Sequence, residues 1–259
     1  MKLSGKYFYI DLHYDKLMQI LTTKIISVFH RLVDIIRLLP IRIIRVLLHL
    51  YQPLLSIPKI FRNSIKQNIY GILFWILELN LLLMDCFGIA EFYEIILEIF
   101  KFNSRPLHDW EIELAQDIFG DTINYKRVRI DEYAFLGPRQ KRFAYVSFYH
   151  INSWGAMQNS ILIHELVHVW QYEQLGSVYI PRAVAAQFTF QNYDYGGIDQ
   201  LRKAFQAGKN FLSFNYEQQG DIVADYFRIK NGYRPQWGYA GRNDLSIYEY
   251  FINHIREIE

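Results

Sequence analysis

The stretch Ile161-Leu-Ile-His-Glu-Leu-Val-His-Val-Trp-Gln-Tyr-Glu173 is the most informative part of this sequence. As a helix, it places His164 and His168 on one face, one turn apart, with Glu165 between them. Two neutral imidazoles in this arrangement can bind a divalent metal ion, and a carboxylate beside them can take a proton from water. The apolar residues around this polar trio are typical of a buried helix, and Gly176 provides its stop. This HExxH pattern therefore predicts a metal site on a central helix.

A second helix supplies the third ligand in this interpretation. Catalytic zinc takes three protein ligands and water, and His254 is the only histidine that follows His168. Glu217 and Asp221 lie four residues apart on a predicted helix that begins at Asn215. The spacing predicts that Glu217 binds the metal and that Asp221 accepts the N–H of a ligating imidazole. His254 is the alternative ligand.

Simpler interpretations of both patterns are open. The first stretch can be a core helix with two hydrogen-bonded histidines, and Glu217 and Asp221 can be solvated acids near a helix N-terminus, where the dipole favours them. Their joint presence favours a metal site, and Asp225, roughly on the same face, can support it. The single cysteine, Cys86, excludes a Cys-rich zinc site and an internal disulfide, so zinc must be held by histidine and carboxylate.

The first hundred residues have a different character. Residues 1–68 hold eleven basic and three acidic residues, a net charge of +8, and since the whole chain carries +2, residues 69–259 carry −6. The segment 101–106 (KFNSRP) is polar and rich in turn formers. We therefore predict two regions: a helical, basic and apolar region over 1–105, and a domain over 106–259 that holds the metal site.

An apolar segment from Leu17 to about Leu50 carries one narrow polar stripe. At about 100° per residue, the stripe consists of Lys24, Ser27, Arg31, Asp34, Arg42, Arg45 and His49. A narrow cationic stripe on an apolar helix is typical of a helix at a membrane surface; the alternative is a helical pair that packs its apolar surface on the rest of the chain. Pro40 should kink or split this helix, and Pro53 and Pro58 should end it.

A second apolar block, Ile69–Phe87, is nearly long enough to span a bilayer. Its acids Glu78 and Asp85 oppose spanning, because each costs about 2.5–3.5 kcal/mol at the centre of a span. Residues 1–15 show no secretory signal. We expect a membrane-associated protein that contacts lipid through residues 17–100. We expect no nucleic-acid partner, because the basic residues lie among aliphatic ones without a stacking platform.

Beyond this region the pattern predicts an α+β fold that is mostly α, with a small β-sheet next to the metal helix. A short helix is expected over 110–119, ended by Gly120. The alternating segments 123–130 and 143–151 predict strands. A strand beside the metal helix is how zinc peptidases commonly hold an extended peptide, by adding it to the sheet edge.

Three segments together resemble a known family: HELVHVWQ (164–171), EQQGDIVADYF (217–227) and FGDTINYKRVRI (119–130). They look like the zincin-like metallopeptidase domains of bacterial proteins, some of which lie beside Vgr- and Rhs-type secretion modules. In broader terms, the site is similar to that of gluzincins, the thermolysin-like peptidases in which HExxH is followed by ExxxD. The resemblance extends over roughly 109–232 and implies a zincin-like fold.

The resemblance also implies a role for each site residue. His164, His168 and Glu217 would bind Zn²⁺. Glu165 would be the general base, and Asp221 would be the hydrogen-bond partner of a ligating imidazole. Two departures stand out: the spacing between the second histidine and the third ligand is far longer than in thermolysin-like enzymes, and no downstream histidine is placed to stabilise an oxyanion. Candidates for that task are Tyr193, Tyr195, Tyr226 and Arg228.

The expected activity is that of a zinc-dependent metallopeptidase acting on a peptide or protein substrate. Zinc lowers the pKa of its water toward ~7, and Glu165 takes the proton and passes it to the leaving amine. One alternative is a non-catalytic accessory or scaffold protein of a bacterial secretion or toxin system, and another is a zinc amidase that acts on cell-wall material. The complete HExxH and ExxxD set favours catalysis, because a scaffold has no use for Glu165.

Overall fold

The computed structural model describes residues 4–60, 64–101, 103–135, 137, 139 and 143–256. These residues are mostly helical and include one small mixed sheet. The prediction of an α+β fold that is mostly α is therefore confirmed, and the zincin-like fold stays a prediction.

The described part of the first hundred residues forms helices α1 Ser4–Arg37, α2 Leu39–Ile60, α3 Ile65–Cys86 and α4 Ile89–Phe100. α1 and α2 meet at Leu38, whose N–H donates to Asp34 O across the end of α1 (2.9 Å). Pro40 is tolerated because the first turn of a helix needs no N–H donor. The predicted helix end at Pro53 and Pro58 is wrong, since α2 runs through both. The fixed φ of proline is itself helical, so each proline costs a hydrogen bond without forcing an end.

These helices form a long hairpin in which α4 runs back along α1 and α3 runs back along α2. The polar stripe of α1 and α2 faces the inside of the structure. Arg31 pairs with Glu94 and Arg42 pairs with Glu91, and all four side chains are buried. The structure therefore turns this stripe away from the surface, whereas a helix lying on a membrane by its cationic side would expose it.

The inner side of the hairpin also binds the segments that follow it. Glu78 on α3 pairs with Arg182 (Oε1 to Nε 2.5 Å). Asp85 lies about two turns further along α3. It accepts hydrogen bonds from the Ser177 N–H (2.8 Å) and from the Ser177 hydroxyl. The acids that oppose spanning in the sequence are thus partnered by the rest of the chain.

The sheet is built, in the part of the chain that the structure describes, from β1 Ser104–Pro106, β2 Arg129–Asp131, β3 Tyr145–Ser147 and β4 His150–Asn152. The strand order is β1–β2–β4–β3, in which the central pair is parallel and both outer pairs are antiparallel. Ile130 of β2 lies opposite Ile151 of β4, and both are buried in the hydrophobic core. This order leaves β3 at one edge of the sheet.

Both predicted strands are shorter than expected. Only the last two residues of the segment 123–130 belong to β2, because Tyr125–Arg127 forms a 3₁₀ turn. The segment 143–151 is not one strand but contains β3 and most of β4. Phe148 adopts a left-handed φ of 59° and turns the chain between them.

The remaining helices are α5 Asp109–Phe119, α6 Asn159–Leu175, α7 Tyr179–Gln187, α8 Gly197–Gln206, α9 Tyr216–Lys230 and α10 Leu245–Arg256. α5 ends at Gly120, as predicted. α6 packs against α9 and against β3, and its residues Ile163, Leu166 and Val167 are fully buried. Each such side chain contributes roughly 1.5–3 kcal/mol by leaving water, so α6 is part of the main core.

Arg42→Met should lower the free energy of unfolding by about 3–5 kcal/mol, because it leaves the buried Glu91 carboxylate without its cation. The double variant Arg42→Met/Glu91→Leu should recover most of this loss, because no charge then remains buried. Denaturant unfolding followed by circular dichroism measures both variants. An equal loss in the double variant would show that the unpaired carboxylate is not the cause.

Candidate metal centre

α6 carries the two histidines at the centre of the structure. The helix follows Gln158 and ends at Gly176, which adopts a φ of 74° in the region that favours glycine. His164 and His168 are 9% and 6% exposed, and their ring centroids lie 5.1 Å apart. The four-residue spacing thus produces the shared face that the sequence predicts.

α9 brings the acids to the histidines. Asn215 Oδ1 accepts from the Gln218 N–H (2.8 Å), and the Gln218 side chain accepts from the Asn215 N–H (3.1 Å). This capping box starts the helix so that Glu217 lies in its first turn and Asp221 lies one turn later. Glu217 and Asp221 are only 2% and 4% exposed, so neither is a solvated surface acid.

Three ligand-type atoms converge between α6 and α9. Glu217 Oε2 lies 3.3 Å from His164 Nε2 and 3.5 Å from His168 Nε2, and the three atoms are within 4.8 Å of one another. Ligands held about 2.1 Å from a tetrahedral ion lie about 3.4 Å from each other. The cluster therefore has the dimensions of a single metal site. His254, the alternative ligand, lies in the last turn of α10 and is not part of this cluster.

Hydrogen bonds at the far side of each ring orient the two imidazoles. His164 Nδ1 is 2.8 Å from Asp221 Oδ1, and since a carboxylate only accepts, Nδ1 carries the proton. His168 Nδ1 is 2.8 Å from Gln171 Oε1. The Gln171 amide nitrogen donates to Tyr216 O (3.0 Å), which assigns the amide oxygen to the histidine. In its neutral form each ring therefore keeps the Nε2 lone pair for a metal.

Gly220 and Gln187 complete the surroundings of the cluster, and the sequence interpretation missed both. A Cβ on Gly220 would lie 2.5–2.8 Å from three atoms of the His164 ring, so only glycine leaves room for that ring. Gln187 Nε2 donates to Glu217 Oε1 (2.9 Å) and leaves Oε2 for the histidines. A glycine inside a helix costs about 1 kcal/mol relative to alanine, and this unfavourable choice is a signal for Gly220. Gln187 lies 30 residues from Glu217 and has no such signal.

A second layer of hydrogen bonds holds Asp221 in place. Trp237 Nε1 donates to Asp221 Oδ2 (2.5 Å). The backbone N–H groups of Gln236 and Trp237 donate to Asp225 (2.6 and 3.1 Å), and Tyr195 OH also donates to this fully buried carboxylate (2.8 Å). Asp225 thus positions the loop that carries the indole, which in turn positions Asp221.

The charges at the cluster favour a cation. Burial lowers the pKa of His164, but its hydrogen bonds with Asp221 and Glu217 outweigh burial and raise that pKa to about 10. Burial alone would lower the pKa of His168, but the negative charge of Glu217 outweighs burial and raises that pKa above its usual value. Burial raises the pKa of Glu217, yet the two imidazoles hold it well below its usual value. The carboxylates therefore stabilise positive charge between the two helices.

A cavity of about 750 Å³ opens beside the cluster, and Glu165 lines it. Glu165 is 5% exposed, and no donor within the described residues bonds its Oε2 atom. Burial raises the pKa of this carboxyl, although the neighbouring imidazoles oppose the shift. A carboxylate with a raised proton affinity at the wall of a cavity is suited to take a proton from a small molecule there.

Two of the four candidate oxyanion stabilisers line the cavity, namely Tyr193 and Arg228. The Tyr193 ring centroid lies 6.0 Å from that of His164. The Arg228 guanidinium forms an ion pair within α9 (2.7 Å). Tyr195 and Tyr226 do not line the cavity, and their hydroxyl groups are engaged in other hydrogen bonds.

Part of the chain is similar in sequence to a known bacterial protein. No family model matches the chain. Over 151 residues the chain is 32% identical to the type VI secretion system spike protein VgrG2b of Pseudomonas aeruginosa, a match that covers 54% of this chain and 14% of that protein. The chain is thus homologous to a small part of a much longer protein, and the predicted relation to Vgr-type proteins is confirmed at this level.

A solved structure, the effector domain of Pseudomonas aeruginosa VgrG2b, matches at 20% identity. The match covers 66% of this chain and 96% of that domain, with a TM-score of 0.35. This score is too low to support an argument about the fold, so the zincin-like classification stays a prediction.

Gly220→Ala should lower zinc affinity by about 10–100-fold, because the added methyl group displaces the His164 ring from its place between Glu217 and Asp221. Isothermal titration with zinc measures the change. Gly241→Ala is the matched control, since a Cβ there meets no atom within 4 Å. Equal affinity in the two variants would show that the ring does not depend on this space.

Proposed function

We propose that this chain is a metal-dependent hydrolase that serves as an effector of a type VI secretion system. The convergence of His164, His168 and Glu217 beside the unengaged carboxylate of Glu165 carries the hydrolase part of the proposal. The secretion-system part rests on the homology to VgrG2b, which is a type VI spike protein.

The donor set supports Zn²⁺ as the metal. Two imidazole nitrogens and one carboxylate oxygen are typical ligands of catalytic zinc, which keeps a further position for water. His164, His168 and Glu217 would hold the ion, and the Nδ1 hydrogen bonds and the space above Gly220 fit this role. When bound, zinc supplies Lewis-acid activation of water and of the scissile carbonyl.

Glu165 is the general base in this proposal. Burial raises its pKa, so it takes up a proton more readily than an exposed glutamate does. Its carboxylate, at the wall of the cavity, would accept a proton from the attacking water and return that proton to the leaving amine. The same residue thus serves both halves of the hydrolysis.

Tyr193 is the residue we assign to the developing oxyanion. Its ring lies beside that of His164 at the cavity wall. Burial and the nearby carboxylates raise its pKa, so the phenol keeps its proton at neutral pH and can donate a hydrogen bond to the developing charge. Arg228, the other candidate at the wall, is bound to Asp225, whereas the side chain of Tyr193 is hydrogen-bonded to Glu217 and so lies beside the ligand cluster.

The walls of the cavity suit an extended peptide as the substrate. β3 is an edge strand of the sheet, and the residues of β3 that line the cavity are Tyr145, Val146 and Ser147. A peptide added to this edge would be held by backbone hydrogen bonds alongside α6. Ile180 and Val184 on α7 also line the cavity and favour an apolar side chain of the substrate. A cell-wall amide is the other substrate class that the same chemistry serves.

A non-catalytic accessory protein of the same secretion system is the second candidate. The homology to a spike protein favours it, since a spike component needs no enzymatic activity. An accessory protein would make no use of a base such as Glu165 at the wall of an open cavity, and for this reason we place it second.

Wild-type protein should contain about one zinc ion per chain, and Glu217→Ala should lose it, because only two of the three ligands remain. Elemental analysis of the purified proteins measures the metal content. Asp199→Ala, which removes an acid whose side chain is 82% exposed, is the matched control. Zinc retained in Glu217→Ala would show that Glu217 is not required as the third ligand. A wild type without zinc after reconstitution would favour the accessory protein.

Glu165→Gln should keep the fold and the metal but lower hydrolysis by about 10²–10⁴-fold, because an amide cannot take up the proton. Casein, a peptide library and peptidoglycan are the substrates to compare, so that peptidase and amidase activity are separated. The effector role is tested by the growth of bacteria that produce the wild type or Glu165→Gln. Each protein is produced once in the cytoplasm and once with an added export signal. Growth inhibition that the variant shares, or hydrolysis by the metal-loaded variant, would contradict the proposal.

A further inference from the structure

The hairpin of α1–α4 has its polarity reversed relative to a water-soluble protein. Among its described side chains, ten of the buried ones are polar or charged, and only Leu82 and Ala90 are buried apolar ones. The buried polar set is Ser27, Arg31, Asp34, Arg42, His49, Glu78, Asp85, Glu91, Glu94 and Glu98. In water, a folded chain buries its apolar side chains first, so this distribution indicates a different solvent.

The outward face of the hairpin is correspondingly apolar. Between Met18 and Phe100, thirty-two large apolar side chains are exposed, compared with fourteen in the described residues after position 100. The exposed set includes Ile25, Phe29, Ile36 and Leu47 on α1 and α2, and Ile72, Leu73, Phe92 and Phe100 on α3 and α4. An apolar surface of this extent on a soluble monomer marks a site that another apolar phase covers.

The first half of α3 distinguishes lipid from a protein partner as the covering phase. Ile69–Leu73 are five consecutive exposed residues, and at about 100° per residue they surround the whole helix. The four side chains among them, Ile69, Tyr70, Ile72 and Leu73, are each more than half exposed. A partner protein packs on one face of a helix, whereas acyl chains surround it. A helix that is apolar all round and lies outside a protein core fits a membrane.

The length of α3 agrees with this environment. Ile65–Cys86 is 22 residues long, with a mean hydropathy of 1.7 and 17% burial in its most apolar window. The part of α3 before Glu78, residues 65–77, is about 20 Å long at about 1.5 Å per residue, so it can enter the acyl region of one leaflet without crossing the roughly 30 Å hydrocarbon core. Its acids do not oppose insertion in the folded chain, because Glu78 pairs with Arg182 and Asp85 binds Ser177 on the inner side.

We propose that the acyl chains of a lipid bilayer cover the outward face of α1–α4, with the first half of α3 as the part most completely surrounded by lipid. The binding is apolar rather than electrostatic, because Arg31 and Arg42, the buried arginines of the stripe, face inward and are neutralised by Glu91, Glu94 and Glu98. The proposal is independent of the hydrolase function, since none of these residues touches the metal cluster.

Vesicle flotation with the full-length protein tests the proposal. Protein reconstituted from mild detergent should float with neutral phosphatidylcholine vesicles, and about 0.5 M salt should not release it, because no surface charge pairing is involved. Ile69→Glu/Leu73→Glu should reduce the floating fraction at least about tenfold, because it places two charges in the acyl region. Leu212→Glu/Tyr239→Glu, at sites that are 56% and 97% exposed outside the hairpin, is the matched control and should float as the wild type does.

Three results would overturn the proposal. The first is a wild type that stays unbound, and the second is one that floats only with anionic vesicles and is released by salt. The third is a hairpin variant that floats unchanged while light scattering shows that it dissociates an oligomer, which would identify a second copy as the cover. The zinc content of Ile69→Glu/Leu73→Glu is measured in parallel. A variant that keeps the zinc of the wild type shows that a failure of the lipid proposal leaves the hydrolase proposal untouched.

A second measurement is independent of how well the charged variant folds. A nitroxide attached at Ile72→Cys in a Cys86→Ser background should collide more with oxygen than with a water-soluble nickel chelate. The same label at Leu212→Cys should show the opposite order. Equal accessibility to the nickel chelate at both positions would contradict lipid contact at α3.

Discussion

The ring of His164 packs on the backbone of Gly220, and the closeness of this contact determines how α6 and α9 are arranged. A Cβ at position 220 would lie within 2.8 Å of three ring atoms, so a larger residue would push the helices apart. Glu217 and Asp221 flank this glycine and reach opposite nitrogens of the same ring, at 3.3 and 2.8 Å. One imidazole is therefore held at both nitrogens by two acids about one helical turn apart, and the positions of His168 and Glu165 follow from their places on α6.

The placement of charge is the second constraint on the fold. Buried ion pairs stabilise a structure only weakly in themselves, but a buried charge without its partner is strongly destabilising. The inner face partners its charges in this way. Glu94 and Glu91 of α4 pair with Arg31 of α1 and Arg42 of α2, and the acids of α3 bind Arg182 and Ser177. The hairpin thus combines a polar inner face, which binds protein, with an apolar outer face, which we assign to lipid.

Local signals predicted the parts of the site that lie within one helix. The four-residue spacing of His164 and His168 and the cap at Asn215 follow from helical periodicity and backbone hydrogen bonding alone. Contacts between distant segments had no such signal, and so Gln187 and Trp237 were not identified. Three-residue strands are too short for alternation to define, which explains why the segments 123–130 and 143–151 were overextended. Periodicity also showed which residues of α1 and α2 share a face, but not whether that face points inward.

The end of α6 gives the hairpin a role in supporting the helix that carries both histidines of the cluster. Arg45 of α2 donates to Glu173 O in the last turn of α6 (2.5 Å), and Asp85 of α3 binds Ser177 just beyond it. A guanidinium at this position satisfies a terminal carbonyl and opposes the negative end of the helix dipole. A fragment that begins at residue 106 would lose this support at the very helix that carries both histidines. We therefore expect that a fragment must extend back through the hairpin to keep this end of α6 supported.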